Sequence, residues 1–322
     1  MKPTAPEPMN RQSTTRPETT YLEESLSGFR VLKLEFTLLP LEKIHLGPDE
    51  VKGDRWRGGF GEALRSLACL HRWAKTDCSE CNESADCFYH RCFFSDMPHP
   101  YVMLPGLDGK RRYDAGECME LEMVLIGEAA GDAEKFVRAV EEVGRRGVGG
   151  RRGRFRVKSV VADDLIDASG FFKEEGVNVG GCIIELLTPL KIKEGAGGLS
   201  YRSLSFEHFF RLLLKRLINL NNLYCSGRDF DKELIEPEKQ DLLRRAREIE
   251  TKTYTEWRDF ERFSSRQRKL LKIGGQLGII RCNGNIGPLS PYLKLGEIIG
   301  VGQHTTSGFG RYRMSTAQET ST

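Results

Sequence analysis

The sequence has no long uninterrupted apolar segment. No apolar run in its 322 residues approaches the ~18 residues that a membrane-spanning helix requires, so we expect no membrane partner. Residues 1–20 contain no apolar block that could act as a signal peptide; we expect a disordered tail there and a second one at 315–322. Without an export signal we expect a cytoplasmic protein, and in that reducing compartment the nine cysteines indicate metal binding more than disulfides.

The chain also lacks a strong net charge. The formal charge is +3 and the isoelectric point is near 8.3, so the distribution of basic residues matters more than their total. An apolar content of 39% is enough to build the core of one large domain or of two average domains.

The common phosphate-binding motifs are missing too. The stretch GVGQHTTSGFGRYRM at 300–314 contains four glycines, but it follows a helical pattern and precedes a strand. A dinucleotide-binding fingerprint has the reverse order, and no Gly-Lys-Ser/Thr loop occurs anywhere in the chain. No convergent cluster of Asp and Glu accompanies the glycines, which disfavours a metal-dependent nuclease.

The glycine-rich stretch has a counterpart in the first half of the chain. The sequence GVGGRRGRFRV at 147–157 repeats the order Gly-Val-Gly, a short insert, and then Gly-Arg-aromatic-Arg. We call residues 147–153 the first glycine loop and residues 300–310 the second glycine loop. Two matched units of domain size predict a duplicated fold.

Apolar periodicity predicts a similar order of elements in both halves. Strands are expected at 31–38, 101–104, 119–125 and 154–161, with helices at 60–68 and 132–144. The second half repeats this pattern with strands at 182–190, 253–260, 270–280 and 310–314, and with helices at 206–220, 238–250 and 290–299. Strand–helix–strand–strand–helix–strand is the order of the ferredoxin-like fold, an antiparallel sheet with helices on one face.

We therefore predict an α+β protein of two tandem ferredoxin-like domains. The first spans 21–162 and includes a Cys-rich excursion at 69–92, the second spans 181–314, and a linker at 163–180 joins them.

Basic residues follow each glycine loop. Arg152, Arg154, Arg156 and Lys158 are predicted to share one strand face with charges ~6.6 Å apart, within a run from 145 to 158 that contains no acid. Such a ridge beside aromatic residues suits single-stranded or hairpin RNA, although a solvated charged face is the alternative. The residues predicted to contact RNA are Lys52, Arg55, Arg57, Arg145, Arg146, Arg151, Arg152, Arg154, Arg156, Arg266, Arg268, Gly300, Gly302, Gly308, Gly310, Arg311 and Arg313.

Three stretches together resemble the CRISPR-associated RAMP-superfamily endoribonucleases that process precursor CRISPR RNA. They are 300–314, RFSSRQRKLLKIGGQLG at 262–278, and WRGGFGEALRSLACL at 56–70 with the cysteines that follow. The resemblance covers about 29–314 and implies two RAMP-type domains, binding of CRISPR repeat RNA, and one cut per repeat without a catalytic metal. The second glycine loop departs from relatives that often carry a lysine and no histidine, since it contains Gln303 and His304.

Metal-free RNA cleavage uses the 2′-hydroxyl of the substrate as nucleophile and needs a base, cations and an acid. Histidine is the natural base, and the resemblance points to His45, which lies close to where relatives carry a catalytic histidine. His304 is the second candidate, and for both the alternative is an exposed loop histidine. We predict an endoribonuclease that leaves a 2′,3′-cyclic phosphate. The alternative is a non-catalytic RAMP-type subunit that holds guide RNA in an effector complex with other CRISPR subunits.

Five cysteines lie within the 24 residues 69–92. A Cys-x2-Cys pair within a set of four thiolates is typical of a zinc site. The resemblance favours Cys69, Cys78, Cys81 and Cys87 as ligands of a structural Zn²⁺, with Cys92, His71 and His90 as substitutes. An iron–sulfur cluster and separate buried thiols are the alternatives. A closed four-ligand site would fold the excursion and would not cut RNA.

Overall fold

The computed structural model describes residues 20–71, 78–94, 97–173, 180–192, 204–225, 231–264 and 269–316. These residues form two antiparallel sheets with helices packed against them. The α+β class predicted from the sequence is therefore confirmed. No helix within these ranges is both long enough and apolar enough to cross a lipid bilayer.

The first sheet takes its strands from the first half of the chain. The described elements there are α1 (Tyr21–Ser27), β1 (Arg30–Pro40), β2 (Ile44–His45), α2 (Asp49–Ala68), β3 (Tyr101–Pro105), β4 (Arg112–Tyr113), β5 (Met119–Ile126), α3 (Ala133–Arg146), β6 (Phe155–Ala162), β7 (Ile166–Asp167) and α4 (Ser169–Lys173). The strand order is β3-β5-β1-β6 with every neighbouring pair antiparallel, and β7 also pairs with β1. Strands β2 and β4 form a separate two-stranded ribbon.

The second sheet takes its strands from the second half. Its elements are β8 (Gly181–Leu190), α5 (Phe206–Tyr224), α6 (Lys232–Arg247), β9 (Glu250–Ser264), β10 (Lys269–Asn283), α7 (Ser290–Ile299) and β11 (Tyr312–Thr316). The strand order is β11-β8-β10-β9, again entirely antiparallel. In both sheets the first main strand lies between the third and the fourth, so the two halves have the same topology.

Periodicity explains why the main elements form where they do. Leu34, Phe36 and Leu38 alternate along β1 and are buried, as one face of a half-buried strand must be. In α3, Phe136, Val140 and Val143 recur at helical spacing and face the same core. Short elements lack such a signal, and the sequence pattern misses α1, α4 and the β2–β4 ribbon.

The two sheets are joined by an apolar core. Helices α2 and α3 cover one face of the first sheet. On its opposite face, Val102, Val124 and Ile126 pack into the core of the second half with Phe209 and Leu213 of α5. The N-terminal helix α1 also packs on the second half. The backbone amides of its first two residues donate hydrogen bonds of 2.9 and 2.7 Å to the Glu238 carboxylate.

The second glycine loop docks on the first domain through close backbone approaches. A Cβ atom at Gly53 of α2 would overlap the carbonyl oxygen of Ser307. A Cβ at Gly308 would lie 2.7 Å from the carbonyl oxygen of Met103 in β3. The Arg57 Nε–H of α2 adds a hydrogen bond of 3.2 Å to the Thr306 hydroxyl. Glycine is therefore required on both sides of this contact.

A buried arginine fixes the start of the same loop. The Arg216 guanidinium, on α5, donates from Nε and Nη2 to the Ile299 carbonyl oxygen at 3.3 and 3.2 Å. Ile299 ends α7 directly before the loop, where helix carbonyls lack intrahelical partners and a positive charge is favourable. Burial lowers the pKa of Arg216 to about 10.

The β2–β4 ribbon is tied to α2 by one buried ammonium group. The Lys52 side chain is 0% exposed, and its Nζ donates to the Gly106 carbonyl at 3.0 Å, to the Tyr113 hydroxyl at 3.0 Å and to the Asp108 carboxylate at 2.6 Å. The Asp49 carboxylate forms a further ion pair with Nζ of Lys52, with Oδ1 at 2.6 Å. Burial alone would lower the pKa of Lys52, but the bonds to Asp108, Asp49 and Tyr113 raise it overall, so the amine stays charged.

The glycine contact leads to a stability prediction. We expect Gly53→Ala to destabilise the protein by about 2–3 kcal/mol, because the added methyl group has to displace the backbone of the second glycine loop. The matched control is Gly58→Ala on the same helix, where a Cβ meets nothing within 4 Å. That control should gain about 0.5–1 kcal/mol from helix propensity. Urea unfolding measures both; equal stability of the two variants would contradict this packing.

The hydrogen-bond network of Lys52 leads to a second stability prediction. We expect Lys52→Met to cost about 3 kcal/mol, since it leaves two carboxylates beside an apolar side chain in a site built for a cation. Lys110→Met is the control, because this lysine is exposed and its ion pair with Glu117 lies at the surface, so its loss should change little. Chemical unfolding at pH 7 compares them, and an unchanged midpoint for Lys52→Met would refute the anchoring role.

Candidate nucleic-acid interface and active site

His45 lies at the end of the β2–β4 ribbon, between β1 and α2. Its Cα partner across the ribbon is Arg112, and its backbone carbonyl accepts a hydrogen bond of 3.3 Å from the Gly150 amide of the first glycine loop. The ring nitrogen Nε2 is buried and makes no hydrogen bond within the described part of the chain. The histidine predicted to be the base is therefore held by its backbone, and its Nε2 has no hydrogen bond to a described residue.

Most arginines around the first glycine loop have carboxylate partners. Arg154 donates from Nε and Nη2 to Glu42 at 2.8 and 2.5 Å, and Arg152 lies 3.6 Å from Glu62. The bonds from Arg154 lower the pKa of Glu42. Arg145 and Arg146 both pair with Glu142 of α3. The acid-free run in the sequence is thus neutralised in part by acids from other elements.

The predicted ridge along the following strand is shorter than expected. Arg156 and Lys158 project from the exposed side of β6 while Phe155 is buried, as the alternation predicts. Arg152 does not belong to the strand, because it occupies a turn with φ 49° before the strand begins. The prediction of one continuous face from Arg152 to Lys158 is wrong, and the exposed residue Arg151 lies in the same turn.

Helix α2 presents its three predicted basic residues in three different ways. Lys52 is enclosed by its carboxylates, so the prediction that it contacts RNA is not supported by its position. Arg57 is half-buried, donates to Thr306 and lies 4.5 Å above the Phe93 ring. Arg55 is exposed and free to meet a ligand from solvent.

The second glycine loop faces protein and not solvent. Gly300, Gly308 and Gly310 are buried, and Gly302 is half-buried. A Cβ at Gly302 would lie 2.5 Å from the Lys191 carbonyl oxygen. A Cβ at Gly310 would overlap the Val301 carbonyl oxygen. The structure places these four glycines against other parts of the same chain, and their contact with RNA stays a prediction. They are needed because other parts of the same chain approach.

The side chains of this loop are more accessible than its glycines. His304 has a left-handed backbone with φ 59°, is half-buried, and packs edge-on against Phe309 with ring centroids 5.8 Å apart. Arg313 is exposed on β11. Arg311 is half-buried and burial lowers its pKa, although the nearby Glu122 acts in the opposite direction. His304 and Arg313 are the residues here that can meet a ligand.

A cleft of about 830 Å³ runs between the two domains. Asp49, Glu50 and Arg111 line it from the first domain. On the other side lie Tyr254 and Arg258 of β9, and Arg258 bridges the cleft to Glu50 at 3.4 Å. Sequence reasoning missed these residues. Their alternation along β9 indicates a shared exposed face, but nothing local shows that this face opposes the other domain. Arg266 and Arg268, which were predicted, lie outside the described residues.

Four predicted cysteines share one small cavity. Cys69, Cys78, Cys81 and Cys87 line it together with His71, Glu83 and His90. In the described part of the chain, no three His, Cys, Asp or Glu side chains are close enough together to hold a metal ion. Cys92 does not line this cavity; it is buried elsewhere, which raises the pKa of its thiol to about 12. The donor set fits zinc, whereas the distances do not describe a closed site.

Comparison with known proteins agrees with this architecture. Residues 184–312 match the family model of the CRISPR-associated endoribonuclease Cas6. Residues 29–176 match the AF_1859_N model, which is described as an N-terminal domain. No curated protein matches the chain by direct sequence comparison.

Several solved structures share the fold at low sequence identity. A Cas6 product complex has a TM-score of 0.55 and 16% identity, over 89% of this chain and 99% of that one. Thermus thermophilus Cas6 has a TM-score of 0.51 and 12% identity, over 89% and 98%. A chain of a partial Cas6-RT-Cas1–Cas2 complex has a TM-score of 0.54 and 11% identity, over 90% and 46%. The resemblance noted in the sequence is thus confirmed: the chain has the fold of the Cas6 RAMP proteins, and its residues 184–312 match the model of the CRISPR-associated endoribonuclease Cas6 family.

Proposed function

We propose that the protein binds CRISPR repeat RNA and cleaves precursor CRISPR RNA within each repeat. The observation that carries this proposal is the match of residues 184–312 to the Cas6 endoribonuclease family. The common topology of the two sheets supports two ferredoxin-like domains, as expected for a RAMP protein. Assembly with other CRISPR proteins is part of the proposal, because one structural neighbour is a Cas6-RT-Cas1–Cas2 complex.

The reaction we propose is an attack by the 2′-hydroxyl of the RNA on the adjacent phosphate, without a catalytic metal. His45 takes the hydroxyl proton while the new oxygen–phosphorus bond forms. The bond from phosphorus to the 5′-oxygen then breaks, and that oxygen receives a proton from an acid, for which His304 is the candidate. The products are a 2′,3′-cyclic phosphate and a 5′-hydroxyl. Cationic side chains stabilise the charge that develops on the phosphate oxygens.

Exposed cations on α2 and β6 support RNA binding. Arg55 of α2 and Arg156 and Lys158 of β6 are accessible from solvent. Arg154 and Arg152 are also on the surface, and a phosphate can compete for them because their ion pairs are exposed and therefore weak. Binding that uses these contacts should weaken as the salt concentration rises.

The proposal is tested by cleavage of a repeat RNA with wild-type protein, His45→Ala and His304→Ala. We expect His45→Ala to slow single-turnover cleavage by at least about 100-fold with little loss of RNA affinity. A substrate with a 2′-deoxy nucleotide at the cut site should remain intact, and added EDTA should not stop cleavage. His208→Ala is the control, because this residue lies on α5 and contacts Ser205.

Other outcomes separate the alternatives. Tight binding of repeat RNA without any cleavage would identify a non-catalytic RAMP-type subunit that holds guide RNA. Immediate loss of cleavage in EDTA would indicate a metal-dependent nuclease. Full activity of both histidine variants would remove the catalytic assignment and leave the RNA partner in place.

We also propose that Cys69, Cys78, Cys81 and Cys87 hold a structural zinc ion. Their common cavity and the Cys-x2-Cys spacing support this ligand set. With four thiolates the coordination sphere is complete, so the ion would stabilise the excursion between α2 and β3 and would not take part in cleavage. An iron–sulfur cluster is the less favoured occupant of the same thiols.

Metal analysis tests this site. We expect about one zinc per chain in protein purified without chelators, and loss of that zinc in Cys81→Ser together with a lower melting temperature. Cys118→Ser is the control, because Cys118 is exposed and lies outside the excursion. Absence of bound metal and an unchanged melting temperature in Cys81→Ser would contradict the proposal. Bound iron with absorption in the visible range would identify the occupant as an iron–sulfur cluster and not zinc.

A further inference from the structure

We propose that the first glycine loop is a support for the backbone of His45, with Gly149 as the positioning residue. The arginines of this loop were expected to contact RNA, whereas its Gly149 and Gly153 pack against residues 43–45. This inference rests on the proposed catalytic role of His45 and explains how that side chain is placed.

Direct contacts join the loop to the histidine. The Gly150 amide donates to the His45 carbonyl oxygen at 3.3 Å. A Cβ at Gly149 would overlap this carbonyl oxygen and would lie 3.0 Å from the carbonyl carbon. The φ of Gly149 is 80°, which L side chains rarely adopt. No side chain fits between the loop and His45.

The next residues of the ribbon are held in the same way. A Cβ at Gly153 would lie 2.6 Å from the Lys43 carbonyl oxygen and 2.8 Å from Cγ1 of Ile44. The loop itself is closed by paired hydrogen bonds of 3.0 and 3.1 Å between Val148 and Gly153. It therefore contacts the chain immediately before His45 and at His45 as one small, internally bonded unit.

The opposite side of the ribbon is equally fixed. Ile44 pairs with Tyr113 of β4, and the Tyr113 hydroxyl bonds to Lys52 and to Asp108. The ribbon is thus held between the first glycine loop and the anchored β4. The His45 Nε2 is buried without a hydrogen bond to a described residue, so a shift of this backbone would move the ring with it.

The test compares Gly149→Ala with Gly150→Ala. Both add one methyl group to the loop, but at Gly150 a Cβ meets nothing within 4 Å and the amide donor is kept. We expect Gly149→Ala to slow single-turnover cleavage of repeat RNA by roughly 100-fold, the effect of a displacement of about 1 Å in a catalytic group. Its affinity for the same RNA should stay within about threefold, and Gly150→Ala should cleave like the wild type.

A double variant shows whether the effect passes through His45. Gly149→Ala should have no further effect on cleavage in a His45→Ala background, because the group that it displaces is already absent. A general loss of folding would instead reduce RNA binding as well. Should Gly149→Ala fail to fold, Gly153→Ala applies the same displacement at Lys43 and Ile44, where the glycine is outside the left-handed region.

The outcomes distinguish this inference from the proposed function. An inactive His45→Ala beside a fully active Gly149→Ala would overturn the positioning role alone. Equal loss of binding and cleavage in Gly149→Ala would also overturn it, and would indicate that the loop contacts RNA directly. A fully active His45→Ala would overturn the catalytic assignment and this inference together.

Discussion

The arrangement of the two domains depends on a backbone-to-backbone contact that only glycine permits. Gly53 of α2 meets the Ser307 carbonyl, and Gly308 meets the Met103 carbonyl of β3. The second glycine loop therefore lies on the first domain at a separation that any Cβ would prevent. An apolar face of the first sheet is buried against the second half, and the inter-domain cleft lies between Asp49 and Arg111 on one side and β9 on the other. A candidate base on one domain and a candidate acid on the other require such a fixed junction.

The charge pattern has a different meaning in the fold than along the chain. The run from 145 to 158 contains no acid, yet Glu42, Glu62 and Glu142 reach its arginines, two of them from positions distant in sequence. The pairs with Glu42 and Glu62 lie at the surface, so they are weak and can exchange for phosphate, whereas the buried pairs of Lys52 cannot. The proposed RNA-binding surface therefore uses arginines whose carboxylate partners are exposed.

Long periodic elements could be predicted from the sequence, because alternation and helical spacing record which side of an element is buried. The main strands of both sheets and helices α2, α3 and α5 were found in this way. Helix α1 and the β2–β4 ribbon could not be predicted, since two to seven residues carry too little periodicity. At the site, His45 and the four cysteines were named with the help of the family resemblance, and the four cysteines do line one cavity. The cleft residues Tyr254 and Arg258 could not be named, because their place depends on contacts between the two halves.

The glycines show the limit of local reasoning most clearly. A glycine in a loop is consistent with a positive φ or with a group that approaches the backbone closely, but its presence does not say which group approaches. In both loops the approaching group is protein: the His45 carbonyl at the first, and the Lys191 and Met103 carbonyls at the second. Loops of the same composition thus serve as supports, one beneath the candidate base and one at the domain junction. Contact with a polyanion is then left to side chains, and of these Arg55, Arg156 and Arg313 are open to solvent while lying on rigid helices and strands. Because the backbone of such elements is already ordered, binding a phosphate there orders side chains only, which is the advantage of placing the supports in the loops and the charges outside them.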